Sequence, residues 1–145
     1  TLDYIWCLNA DAKIIFTVSP IRHLRSGVIE SSRSKATLLS ALHEVISEEK
    51  RASYFPSYEI FMDELRDYRF AKTDMTHPTE QSEDYIWDRF CVTYFSAETL
   101  QILKEVKKYT QFAAHRPIHS TELHEKQVAE KLSLLTTNYP FLHFK

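Results

Sequence analysis

One glycine, Gly27, serves all 145 residues. Parallel α/β domains ordinarily place several glycines at strand-to-helix turns and close backbone approaches. A Gly-rich loop that cradles phosphate is therefore excluded. The shortage also creates an expectation that a glycine-bearing part of the domain lies outside these residues. The opening Thr1-Leu2-Asp3-Tyr4-Ile5-Trp6, without an initiator methionine, agrees with it.

Hydrophobic periodicity gives the elements. Residues 2–8 read as the tail of a helix. Residues 13–18 are short, apolar and β-branched, which predicts a strand buried on both faces. Pro20 ends it. Residues 19–33 read as a polar loop, and Ser34 is placed to cap the next helix. Leu38, Leu39, Leu42, Val45 and Ile46 share the buried face of that helix. Residues 54–62 read as a second strand despite Pro56, followed by a charged, aromatic loop over residues 63–70. Pro78 suits the first position of a further helix, with Glu80 and Glu83 at its positive end. Ile86, Trp87, Phe90, Cys91, Tyr94 and Phe95 supply its buried face. Strand, helix, strand, helix predicts a right-handed βαβ unit in a parallel sheet. Ligands of such sheets bind beyond the carboxyl ends of the strands. Both long loops, residues 19–33 and 63–77, fall there.

The last third changes character. Residues 97–114, with Ser96 as cap, and residues 120–137, with Val128, Leu132 and Leu135 on one face, read as a helical hairpin. The expected division is residues 1–95 for the α/β part and 96–145 for the helical extension.

Composition removes whole classes of function. Hydrophobic residues make up 43% and charged residues 26%, and the net charge is -2. That balance leaves no electrostatic footprint for nucleic acid. No apolar run approaches the roughly 20 residues that span a bilayer, so no membrane partner is expected. Cys7 and Cys91 are too few for a disulfide framework. Both sit among apolar residues and read as buried thiols, and a cytoplasmic setting follows as the default. His115, His119 and His124 are too loosely spaced for a zinc site, and a proline intervenes. No metal and no cofactor are expected.

The chemistry concentrates in Asp74-Met75-Thr76-His77-Pro78. A neutral imidazole can take a proton from a serine hydroxyl near pH 7. A carboxylate on its other nitrogen fixes the tautomer and stabilises the imidazolium. A spacing of three on a turn lets both side chains point the same way. The bland alternative makes Asp74 a turn cap and His77 an ordinary loop residue. His23, in the loop after the first strand, is a candidate substrate-binding residue, or a structural one. Arg22, Arg25, Ser31, Ser32, Ser34 and Lys35 form either an anion site or a solvated loop and helix cap. Asp67 and Arg69 are expected to pair and shape the loop. Tyr54, Phe55, Tyr58, Phe61 and Tyr68 line a pocket or fill a core.

Five segments in order carry a family resemblance. They are Thr17-Val18-Ser19-Pro20-Ile21-Arg22-His23; Ser34-Lys35-Ala36-Thr37-Leu38-Leu39; Tyr54-Phe55-Pro56-Ser57-Tyr58-Glu59; Asp63-Glu64-Leu65-Arg66-Asp67-Tyr68-Arg69-Phe70; and Asp74-Met75-Thr76-His77-Pro78. Together they resemble the GSCFA domain family, which is similar to the SGNH (GDSL-like) ester hydrolases. The resemblance covers about residues 1–95. It implies a three-layer, flavodoxin-like α/β sandwich of which this chain is the C-terminal half. It also implies a Ser-His-Asp triad in which Asp74 and His77 match the late Asp-x-x-His. The early serine motif and the oxyanion-hole Gly and Asn have no counterpart, and none of Ser19, Ser26, Ser31, Ser32 or Ser34 matches the nucleophile position.

The expected function is thus a fragment of a serine esterase acting on acyl or acetyl esters, small-molecule or carbohydrate, and inactive alone. The alternative is a non-catalytic module of the same fold that binds carbohydrate or protein. An unpaired sheet edge and the C-terminal helices are expected to support self-association.

Overall fold

The computed structural model describes residues 2–115 and 121–144. The chain is α/β, with six helices and a two-stranded parallel sheet among the described residues. It forms two compact units, Thr1–Phe90 and Cys91–Lys145.

The first unit opens with helix α1 (Leu2–Leu8). Buried Trp6 anchors it: Nε1 donates to the Ala12 carbonyl at 2.9 Å, and the Arg51 guanidinium lies 3.9 Å from the indole centroid. Strand β1 (Ile14–Thr17) leads through a loop to helix α2 (Val28–Glu48) and then strand β2 (Ala52–Phe55). The strands pair in parallel from Ile14↔Ala52 to Thr17↔Phe55. The βαβ reading therefore holds, and the register ends both strands at the same level.

Several local expectations fail for physical reasons. Strand β1 is not buried on both faces, because Ile15 is 39% exposed and Thr17 is also exposed. Helix α2 is not capped by Ser34 but begins at Val28, immediately after Gly27. Gly27 has φ +88° and ψ 163°, a backbone region nearly closed to side chains, and it turns the chain seven residues before the predicted cap. Leu38 and Val45 lie on the exposed side of α2, while buried Lys35 shares its inward side. Strand β2 does not run on to Met62. Pro56 has no N–H to give a ladder, so the chain leaves the sheet as a short helical turn, α3 (Ser57–Glu59). A π-helical turn, Ile60–Glu64, follows directly, closed by Leu65 N–H to the Ile60 carbonyl at 2.9 Å. It buries Ile60, Phe61 and Leu65. Cys7 is exposed rather than buried, whereas Cys91 is buried.

Helix α4 (Glu80–Tyr94) starts two residues after Pro78, which pairs instead with Ala71 in an isolated antiparallel bridge. The Thr79 carbonyl receives the Ser82 and Glu83 amides at 3.0 and 2.9 Å. Trp87, placed by periodicity on the buried face, is 49% exposed.

In the second unit, helix α5 (Ala97–Ala114) is capped as expected: Ser96 Oγ accepts from Thr99 N–H at 3.1 Å. Helix α6 (Thr121–Asn138) packs on it as the other arm of the hairpin. The Phe112 ring lies 4.9 Å from His124, and Val128, Leu132 and Leu135 turn inward. Ser120 and His119 lie outside the described residues. Among the described residues no cluster of three metal-ligating side chains forms, and no helix is long and apolar enough to cross a membrane.

Adding a Cβ at Gly27 meets nothing within 4 Å, so its constraint is purely conformational. Gly27→Ala is expected to destabilise the chain by about 1–3 kcal/mol, read as a lower urea midpoint with an unchanged slope.

Candidate active site

The turn that carries Asp74 and His77 is a closed loop standing on a fixed base. Thr79 N–H donates to the Phe70 carbonyl at 3.0 Å, and Lys72 N–H to the His77 carbonyl at 2.8 Å. The Phe70 carbonyl also receives Ser82 Oγ at 2.6 Å, from a serine with no exposure at all. The first turn of α4 thus staples both legs of the loop. Asp67 Oδ1 caps the short turn Tyr68–Phe70 by accepting from Arg69 N–H, and its carboxylate lies 3.9 Å from the Arg69 guanidinium, the pairing expected from sequence.

Within the loop, Met75 N–H closes a turn onto the Lys72 carbonyl at 2.8 Å, and Met75 adopts φ +57°. A left-handed conformation costs a residue with a Cβ about 1–2 kcal/mol. The Asp74 carboxylate holds it there. Oδ1 accepts the backbone N–H groups of Thr76 at 2.8 Å and His77 at 3.0 Å, while Thr76 Oγ1 donates to the Asp74 carbonyl. Asp and Asn favour such turns because the side chain stands in for a backbone acceptor.

The second carboxylate oxygen meets the imidazole. Asp74 Oδ2 lies 2.6 Å from His77 Nδ1, with both side chains half exposed. The two amides and the imidazole hold the Asp74 carboxyl well below the usual carboxylate range, the His77 amide contributing most. An ionised carboxylate at Nδ1 selects the tautomer with hydrogen on Nδ1. That leaves the Nε2 lone pair outward as a base. Among the described residues no hydrogen bond reaches Nε2. One carboxylate thus has two separate contacts, Oδ1 capping the turn and Oδ2 meeting the imidazole.

The other candidates separate. Arg22, from the loop after β1, reaches the turn: Nη1 donates to the Met75 carbonyl at 2.8 Å. His23 is the next residue, exposed at the start of the turn Leu24–Ser26. Lys35 Nζ donates to the Ser19 carbonyl at 2.6 Å and pins the same loop; burial lowers its ammonium below the usual lysine value. Ser57 Oγ ties the ends of both strands together, donating to the Val18 carbonyl at 2.8 Å and meeting Thr17 Oγ1 at 2.6 Å. Phe55 and Phe61 are core, whereas Tyr68 is exposed. Sequence reasoning missed the Arg22 contact, because 53 residues separate it from Met75 and no local spacing reports it.

An apolar cleft of about 450 Å³ includes Pro78, the residue after His77, in its lining. Pro78 lines it with Ile15, Phe55, Ile86, Trp87 and Phe90.

The pair has a pH signature. Because Asp74 is held charged in the folded state, its stabilising contribution is complete above its ordinary value near 3.8. It fades as pH falls further, towards the depressed folded value. Asp74→Asn replaces the acceptor at Nδ1 and is expected to move the neutral imidazole toward the Nε2–H tautomer. Nitrogen chemical shifts of His77 near pH 8 read this directly; unchanged shifts contradict the assignment.

Comparison with known proteins places these residues. Searches of the curated proteins and of the solved structures return no match. The GSCFA family model matches residues 1–90, which include both strands, the loop after β1 and the Asp74–His77 turn. The chain belongs to the GSCFA family.

Proposed function

We propose that this chain supplies the base and its orienting carboxylate to a serine ester hydrolase of the Ser-His-Asp type, with the nucleophile outside these residues. The observation that carries the reading is the 2.6 Å contact between Asp74 Oδ2 and His77 Nδ1, on a turn whose backbone fixes the carboxylate. His77 Nε2 takes the proton of the attacking serine and returns it to the leaving group. Asp74 keeps the tautomer and balances the imidazolium. His23 is the residue on the neighbouring loop proposed to contact substrate.

The apolar cleft beside Pro78 supports an acyl ester over a polyhydroxylated group at that position, since its walls are almost wholly hydrocarbon. Family membership supports the same chemistry through the likeness of GSCFA domains to the SGNH hydrolases. On this reading the βαβ unit is part of a three-layer, flavodoxin-like sandwich, and the setting is cytoplasmic.

The test uses a longer polypeptide that includes the nucleophile, assayed on p-nitrophenyl acetate and on longer acyl esters. His77→Ala and Asp74→Asn are each expected to lower kcat/KM by at least about 100-fold, and the 145-residue chain alone to show no turnover. Unchanged rates in both variants refute the assignment.

A further inference from the structure

Two peptide units present their N–H groups to the Asp74 carboxylate, and both are gripped at the opposite end by one residue. The Met75–Thr76 unit donates its N–H to Oδ1 at 2.8 Å, and its carbonyl accepts from Arg22 Nη1 at 2.8 Å. The Thr76–His77 unit donates its N–H to the same Oδ1 at 3.0 Å, and its carbonyl accepts the backbone N–H of Arg22 at 3.4 Å. We propose that Arg22 is a positioning residue for the Asp74–His77 pair, fixing by their carbonyls the two peptide planes that hold the Asp74 carboxylate.

The electrostatics favour this arrangement. A peptide unit with a cation at its carbonyl and an anion at its N–H has its dipole aligned with both charges, so each bond strengthens the other. The guanidinium is itself held: Nη2 donates to Met62 Sδ at 3.4 Å, and the group lies 6.0 Å from the Phe61 ring centroid. Among the described residues no carboxylate lies within ion-pair distance of Arg22, so its charge is directed at the turn. Met75 supplies the mechanical reason for a clamp. Its left-handed φ of +57° is strained for a residue with a Cβ, and relaxation would rotate the Met75–Thr76 plane. That rotation takes the Thr76 N–H off Oδ1 and frees the carboxylate to leave Nδ1.

The catalytic meaning of this role rests on the hydrolase reading, but its test does not. The carbon resonance of the Asp74 carboxyl is followed against pH in the 145-residue chain. Arg22→Met keeps the apolar packing against Phe61 and Met62 and removes the donor. The midpoint of Asp74 is expected to rise by about 1 pH unit. Arg22→Lys, which retains a charged donor, is expected to restore most of the difference, and Arg25→Ala on the same loop to leave it unchanged. Coincident titrations of wild type and Arg22→Met overturn the proposal. Should Arg22→Met fail to fold, the wild-type chain decides: a scalar coupling across the Nη1–H···O=C bond to Met75 is expected, and its absence overturns the proposal. A shifted titration in a protein that hydrolyses no ester leaves the positioning role standing and removes the catalytic one.

Discussion

The local order of the candidate site depends on one carboxylate with three N–H partners. Asp74 receives the amides of Thr76 and His77 on one oxygen and the His77 ring on the other. Each partner favours the ionised form, so the group stays charged well below the usual range. An ionised, fixed acceptor is what an imidazole needs at Nδ1 if it is to act as a base. The strain at Met75 is the cost of bending five residues tightly enough to bring all three donors to one side chain.

The scaffold supplies the rest. Parallel pairing ends β1 and β2 at the same level, so the loops that leave them emerge side by side. Ser57 and Lys35 fix the start of the first loop through the carbonyls of Val18 and Ser19. Ser82, fully buried at the head of α4, fixes the base of the second through the carbonyl of Phe70. Arg22 then joins the two loops. Each of these ties ends on a backbone carbonyl, a type of bond that orients a loop without needing a matching charge. The apolar cleft opens where the same two strands meet α4, with Pro78 in its wall.

Much of this was legible in the sequence. Apolar β-branched runs on either side of a helical stretch gave the parallel unit. The offset of three between Asp74 and His77 gave the pair, and Ser96 gave the start of α5. The boundaries were harder to read. Residues 57–62 have the aromatic character of a strand, but Pro56 removes the ladder donor and the chain coils instead. The first turns of α2 carry serines and an arginine rather than a continuous apolar stripe, so periodicity alone places its start at Ser34; Gly27 is the better signal. The Arg22 clamp had no signature, because both its acceptors are backbone carbonyls and any residue has one.

The central claim is that His77 Nε2 is a catalytic base acting on a serine. A fluorophosphonate probe reports that most directly, since it modifies a serine only where a neighbouring base has activated it. In a polypeptide that carries this chain together with the nucleophile, labelling of a single serine is predicted, and its loss in His77→Ala. Equal labelling of both proteins, or none in the wild type, contradicts the account.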